Sequence, residues 1–242
     1  MKLGILADIH SNLEALNATL SALKGVSNYI CPGDIVGYGP NPNECVEIIR
    51  DLSCRTVAGN HDLASIGKLD TSSFNSEARD AVNWTSRVLT VDNRKFLEDL
   101  PEYLEGDSFE IVHGSLSSHV EQYITDIESG ASTIKLMKKD LCFVGHLHIP
   151  LVIVRNKEGK YDGWQLNDGD VIDASRFDKV VINVGSIGQP RDMDPRASFG
   201  IFDTDARTIE IRKVEYNIAA VQEKMRKADL PDFLIERLKY GR

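Results

Sequence analysis

The sequence predicts an α/β sandwich, and three observations predict it. In the first half, short apolar runs alternate with helical patterns, the signature of βαβ units on a mostly parallel sheet. The second half turns strand-rich and can supply a second sheet to pack on the first. No repeat, low-complexity tract or Gly/Ser linker divides the chain, so residues 1–242 read as a single domain.

The apolar runs are LGILADIH, YICPGDIVGYGP, RTVAGNHD, FEIVHGS and LCFVGHLH. Their length and their Val, Ile and Phe content make them strands, and each ends in a polar cluster. LEALNATLSALKG, between the first two, reads as a helix closed by Gly25, and NECVEIIRDL as a second helix before RTVAGNHD. Residues from about 62 to 100 leave the sheet as a helical excursion, carried by SEARDAVNWTSRVL and NRKFLEDLP. VEQYITDIESG and ASTIKLMKKDL add further helix, which takes in His119 and Tyr123. PLVIVRNKEGKYDGWQL reads as a hairpin around Lys157, Glu158 and Gly159, and FGIFDTDARTIEIRKVEY as one around Thr204, Asp205 and Ala206. KVVINVGSIG is a strand and loop between them, and the tail is helical with a break at Pro231. Trp84 and Trp164 read as packing residues.

With 42% hydrophobic and 27% charged residues, the chain suits a globular protein with a full core. No apolar stretch is long enough to span a bilayer. The apolar run of MKLGILADIH is short and broken by Asp8 and His10, so it does not read as a signal peptide. Cys31, Cys45, Cys54 and Cys142 form no CxxC pair and suit core thiols in a reducing compartment, which makes a cytoplasmic location the expectation. The net charge of -9 argues against non-specific nucleic-acid binding, which needs a basic face. It is compatible with a small anionic substrate, because bound metals supply local positive charge.

Five of the 6 histidines, namely His10, His61, His113, His146 and His148, sit at the C-terminal ends of predicted strands; His119 does not. Ligands gather at those strand ends in open α/β sheets. Asp8, Asp34 and Asn60 lie at the same ends. In an extended strand, residues i and i+2 share a face, so His146 and His148 are expected to point together. Mixed carboxylate and imidazole sets suit Mn, Fe, Zn, Ni or Co rather than an all-oxygen Mg or Ca cage. The ligands outnumber what one metal needs, so two metals sharing a carboxylate are expected. Two ions about 3.5–4 Å apart form the usual clamp for in-line displacement at phosphorus.

These motifs, in this order, resemble the calcineurin-like metallophosphoesterases. They read DIH at 8–10, GD at 33–34, GNHD at 59–62, HG at 113–114 and GHLH at 145–148. NVGSIGQPRDMDPRASF at 183–199 and GDIVGYGPNPNE resemble the small bacterial and archaeal phosphodiesterase-like branch. The resemblance implies a four-layer α-β-β-α sandwich of two mixed sheets flanked by helices. It implies that Asp8, His10, Asp34 and His148 hold one divalent transition metal, with Mn²⁺ foremost among the candidates. Asp34, Asn60, His113 and His146 would hold the second, with Asp34 bridging. A bridging water would be the nucleophile, attacking phosphorus in line with the leaving oxygen. Asn60 and His61 form the catalytic side: His61 is not needed as a ligand and would protonate or neutralise the leaving alkoxide.

One departure stands out. Serine/threonine phosphatases of the superfamily have Asp-Arg beginning three residues after the Gly-Asp aspartate, and here those positions are Gly37 and Tyr38. The group that orients His61 is therefore not given by the motif, although Asp62 is adjacent. Two divalent ions against Asp8, Asp34 and a hydroxide leave roughly one net positive charge, which matches a phosphodiester monoanion. The expected activity is hydrolysis of a small phosphodiester. The alternatives are a phosphomonoesterase or dinucleoside polyphosphate hydrolase with the same site, and a non-catalytic scaffold of the same fold. Arg191 either touches substrate or pairs with Asp192 or Asp194, and His119 and Tyr123 are further candidates for the substrate side.

Overall fold

A computed structural model describes residues 1–242. The first half follows the expected order: β1 (Lys2–Ile5), α1 (Leu13–Ala22), β2 (Asn28–Cys31), α2 (Pro42–Asp51) and β3 (Arg55–Thr56). Asn12 caps α1 by accepting from the Ala15 N–H, and Pro42 opens α2, where its missing N–H costs nothing. β1, β2 and β3 pair in parallel, as helical crossovers require. The helical excursion is α3 (Asn60–Ser65), α4 (Ser76–Val88) and α5 (Val91–Glu98), the last two capped by Asn75 and Thr90.

β4 (Tyr103–Glu105) and β5 (Glu110–Val112) follow, then α6 (Ile127–Leu136). Here the structure differs from the helical reading of VEQYITDIESG. Residues 113–126 are irregular, so His119 and Tyr123 lie outside any helix. The cause is a reciprocal cap: Asp126 accepts from the Ser129 N–H, and the Ser129 hydroxyl accepts from the Asp126 N–H, which starts the helix at Ile127. Gly130 lies inside α6. A Cβ there would sit 2.3 Å from an Ile153 side-chain atom, so the glycine lets α6 lie close on the sheet.

The second half runs β6 (Leu141–Val144), β7 (Pro150–Arg155), β8 (Tyr161–Gln165), β9 (Val171–Asp173), a 3₁₀ turn at Ala174–Arg176, β10 (Lys179–Val184), β11 (Ala197–Asp203), β12 (Thr208–Val214), α7 (Ile218–Lys227) and α8 (Asp232–Arg237). Both expected hairpins form, closing at Arg155↔Tyr161 and Asp203↔Thr208. The short strands β4 and β9 have no clear sequence signal.

The strands make two mixed six-stranded sheets, in the orders β3-β2-β1-β11-β12-β9 and β4-β5-β6-β10-β7-β8. Their inner faces meet over Ile5, Phe143, Ile182 and Phe202, with Phe143 and Phe202 ring centroids 5.6 Å apart. Each such side chain contributes roughly 1.5–3 kcal/mol by leaving water. β6 shows why its run is apolar at every position: Leu141 and Phe143 face the other sheet, while Cys142 and Val144 join the cluster with Ile134 of α6. On the opposite outer face, Leu16 of α1 and Cys45 and Ile49 of α2 pack against the first sheet. The result is the four-layer α-β-β-α sandwich.

α4, α7 and α8 cluster around Tyr38, above the loop that leaves β2. Trp84 packs there, whereas Trp164 on β8 stays 40% exposed, its ring centroid 6.4 Å from that of Phe177. The four cysteines are free thiols. No helix is long and apolar enough to cross a membrane.

Candidate metal centre

The loops leaving β1, β2, β5 and β6, with the start of α3, meet where the two sheets adjoin. Main-chain pairing continues beyond the strands and sets their positions: Asp8 N–H donates to Gly33 O at 3.2 Å and His10 N–H to Asp34 O at 3.0 Å. His146 N–H donates to Asp8 Oδ1 at 3.0 Å and ties the second sheet to the first. Asp8, His10, Asp34, His146 and His148 all adopt left-handed backbone, with φ between 47° and 70°. Such conformations cost about 1–3 kcal/mol each and persist where the surroundings demand them. This corrects the strand argument for His146 and His148. They follow β6 in an irregular loop, and two left-handed residues, not strand alternation, aim them.

Two groups of side chains result. One ligand atom from each of Asp8, His10, Asp34 and His148 lies within 4.8 Å of the others, and the same holds for Asp34, His113 and His146. Asp34 is in both. Asn60 adjoins the second group, its Oδ1 3.0 Å from His113 Nε2. All seven residues are buried.

A carbonyl oxygen only accepts, so its partner fixes which ring nitrogen carries the proton. Nδ1–H donates to Val36 O in His10 (3.1 Å), to Pro32 O in His113 (2.8 Å) and to Gln189 O in His148 (2.7 Å). His146 is reversed, with Nε2–H donating to Glu121 O at 3.1 Å. The remaining nitrogens converge: His10 Nε2 and His148 Nε2 stand 2.9 Å apart, and His113 Nε2 and His146 Nδ1 3.2 Å apart. Buried lone pairs so placed repel each other unless a cation or a proton lies between them. Asp8 Oδ2 and Asp34 Oδ2 are buried with no hydrogen-bond partner, a costly arrangement that a cation relieves. The donor set, imidazole and carboxylate without thiolate, fits Mn, Fe, Zn, Ni or Co.

Charges in the cation-free protein tell the same story. Burial pushes Asp8 up to about 7. Burial works against ionised Asp34 too, but the neighbouring His113 charge holds it well below the ordinary carboxylate range. Burial opposes a charged His113, yet Asp34 carries it up to about 9, so a proton on this ring stands in for a cation. Burial lowers His10 and His148 far below the usual value, and takes His146 to about 3 and His61 to about 4.

A group raised on folding binds more protons folded than unfolded, so the stability it confers is lost as pH rises through its folded value. His113 therefore stabilises the cation-free fold below its ordinary value of about 6.5 and ceases to do so near 9. Asp8 acts in the same direction up to about 7, and the lowered histidines have finished titrating there. The melting temperature of chelator-treated protein is expected to fall from about pH 7 to about pH 9, with added Mn²⁺ flattening the fall. A midpoint constant or rising across that window, read by scanning calorimetry, contradicts this account.

His61 belongs to neither group. Its N–H donates to Asp34 Oδ1 at 2.9 Å, and its ring packs 4.3 Å from Tyr38 and 5.1 Å from Phe74. It lines a cleft of about 340 Å³ with Tyr38, Asn60, Phe74, Tyr123 and His146. Asp62 does not orient this ring. Its carboxylate accepts from the N–H groups of Asp34 (2.9 Å), Val36 (3.0 Å) and Gly59 (3.0 Å), and so locks the β2 loop to α3. What positions the ring is space. Gly37, at φ 93°, leaves room where a Cβ would stand 2.5 Å from His61 Nδ1. Gly37→Ala is expected to retain metal and lose turnover by about 10²-fold or more, as if His61 itself were disabled. Unchanged kcat in that variant removes Gly37 from the argument.

Of the other sequence candidates, Tyr123 is 45% exposed on the cleft wall and stacks on His146, centroids 3.7 Å apart. His119 stacks on Tyr103 at 5.7 Å and is not on that wall. Arg191 pairs with neither Asp192 nor Asp194, which engage Lys213 and Arg196. It donates instead to Gln189 Oε1 at 3.0 Å and to the Tyr38 hydroxyl at 3.3 Å. The four orienting carbonyls escaped the sequence reading, since every residue has one. Tyr38 was visible as a departure from the phosphatase pattern.

A family model for the calcineurin-like phosphoesterase superfamily domain matches residues 1–207. The chain belongs to this superfamily. It is similar to an uncharacterized protein, MJ0912, of Methanocaldococcus jannaschii, at 42% identity, with 99% of this chain and 98% of that one covered. A metallophosphoesterase crystal structure from Sphaerobacter thermophilus superposes with TM-score 0.91 at 42% identity, covering all of both chains. A hypothetical protein, PH1004, from Pyrococcus horikoshii OT3 shares the fold, with TM-score 0.82 at 21% identity over all of this chain and 98% of that one. For this calcineurin-like phosphoesterase, the family and the two residue groups together indicate a centre for two divalent ions.

Proposed function

We propose that residues 1–242, as one domain, hydrolyse a phosphodiester of a small substrate with the aid of two divalent transition-metal ions, manganese foremost. Asp8, His10, Asp34 and His148 would hold one ion, and Asp34, Asn60, His113 and His146 the other. The observation that carries this reading is Asp34, a member of both groups with a buried, unpartnered Oδ2. Bound there, such ions supply positive charge for the phosphoryl group and a water nucleophile at neutral pH.

The protein's own residues do the rest. The carbonyls of Val36, Pro32, Gln189 and Glu121 hold each imidazole with its lone pair inward. His61, free of both groups, neutralises the leaving oxygen. Tyr123 lines the substrate's path. The small excess of positive charge favours a diester monoanion, and the free thiols support a reducing, cytoplasmic setting. One observation favours a second reading: Arg191 has no carboxylate partner, and an unpaired guanidinium would serve a monoester dianion or a polyphosphate.

The test is hydrolysis of bis(p-nitrophenyl) phosphate beside p-nitrophenyl phosphate, by chelator-stripped protein with added Mn²⁺. Faster turnover of the diester is expected, lost in Asn60→Ala. Faster turnover of the monoester moves the assignment to a phosphomonoesterase. Turnover of neither, with Mn, Fe, Zn, Ni or Co, overturns general phosphoesterase activity on simple esters.

A further inference from the structure

We propose that Tyr38 and Arg191 form a phosphate clamp, in which the Tyr38 hydroxyl, held by the Arg191 guanidinium, donates a hydrogen bond to a phosphoryl oxygen of the bound ester. The inference rests on the phosphoester reading of the site.

Tyr38 has an unusual backbone for a bulky side chain, left-handed at φ 54°. Such strain persists where something requires it. Here it sets the ring 4.6 Å from His10 and 4.3 Å from His61, between a residue of the first metal group and the free histidine. The ring packs with Val221 and Leu234 under α7 and α8, but phenylalanine would pack as well. The hydroxyl is what packing leaves unexplained. It accepts from Arg191 Nη2 at 3.3 Å and donates to no protein atom. A phenol has one proton to donate, and this residue is on the wall of the cleft that holds Asn60 and His61.

Arg191 is held as firmly. Its N–H donates to His148 O at 3.1 Å, so it moves with the metal loop. Its Nε is buried without a partner, and its two side-chain acceptors, Gln189 and Tyr38, are neutral. The adjacent Asp192 and Asp194 are engaged by Lys213 and Arg196. A positive charge left unneutralised in a chain of net charge -9, beside a phenol with a free proton, matches an anionic oxygen.

The experiment is kinetics on manganese-loaded Tyr38→Phe with bis(p-nitrophenyl) phosphate, together with calorimetric titration of inorganic phosphate. A fall in kcat/KM and a weakening of phosphate binding, each about tenfold or more, are expected at unchanged metal content and melting temperature. The double variant Tyr38→Phe/Arg191→Gln should lose little more than the worse single variant, because the two act as a unit. Wild-type values in Tyr38→Phe, or losses that multiply in the double variant, overturn the clamp. If Tyr38→Phe loses metal or unfolds, Arg191→Lys decides: weakened phosphate binding supports the clamp and wild-type binding refutes it. Failure of the wild type to turn over either ester would count against the phosphoester reading, while the phosphate titrations still judge the clamp.

Discussion

Asp34→Asn is expected to remove both metal ions at once. Asp34 Oδ2 lies 3.5 Å from His10 Nε2 and 3.4 Å from His113 Nε2, so a single oxygen faces a histidine of each group. The amide preserves the volume and still offers an oxygen to the His61 N–H, which Asp34 Oδ1 receives at 2.9 Å. What it removes is the one negative charge common to both sites. Loss of an outer partner of a metal ligand costs about 10–100-fold in affinity, so loss of a shared ligand should exceed about 100-fold at each site. Hydrolysis should fall to background. Asp8→Asn, by contrast, removes a ligand of the first group alone; its amide oxygen still offers an acceptor to the His146 N–H, so the second ion should be spared. Elemental analysis after dialysis, with calorimetric Mn²⁺ titration, separates the cases. Two ions retained in Asp34→Asn would refute the shared site.

His61→Ala should do the opposite, keeping both ions and losing about 10²–10⁴-fold in kcat. Its ring is in neither ligand group, and its tie to Asp34 is through the backbone N–H, which alanine retains. Burial lowers His61 to about 4, and two nearby cations would lower it further. The form expected at neutral pH is therefore the uncharged imidazole, which in the proposed reaction would donate one N–H to the leaving oxygen instead of delivering a proton from imidazolium. The sign follows. Activity that needed imidazolium would decline through about pH 6.5, whereas activity with neutral His61 shows no such decline from about pH 6 to 8. A pH profile of kcat falling through that range, abolished in His61→Ala, would overturn the neutral form. Loss of both ions in His61→Ala would overturn the assignment itself.

How much of this was legible in the sequence follows from where the information lies. DIH, GD, GNHD, HG and GHLH declare themselves because few side chains bind metals and these recur at strand ends. The alternation of helix and strand was legible because burial imposes a period, and on β6 burial from both sides erases it in a recognisable way. The segment 113–126 misled for a related reason. VEQYIT has an acceptable helical composition, but the Asp126–Ser129 cap and the use of the Glu121 carbonyl by His146 hold it otherwise.

The sequence by itself determined the α/β class, the two hairpins and the inventory of carboxylates and imidazoles. Only the tertiary structure decided how those groups are aimed. It showed that left-handed loops point His146 and His148, that four main-chain carbonyls choose the ring nitrogens, and that Gly37 makes room for His61. It also brought Arg191 to Tyr38 across 153 residues of chain. The physical reason is common to all four. A side chain's chemistry is written at its own position, but the direction of a lone pair depends on backbone groups and neighbours that every sequence possesses and only a fold arranges.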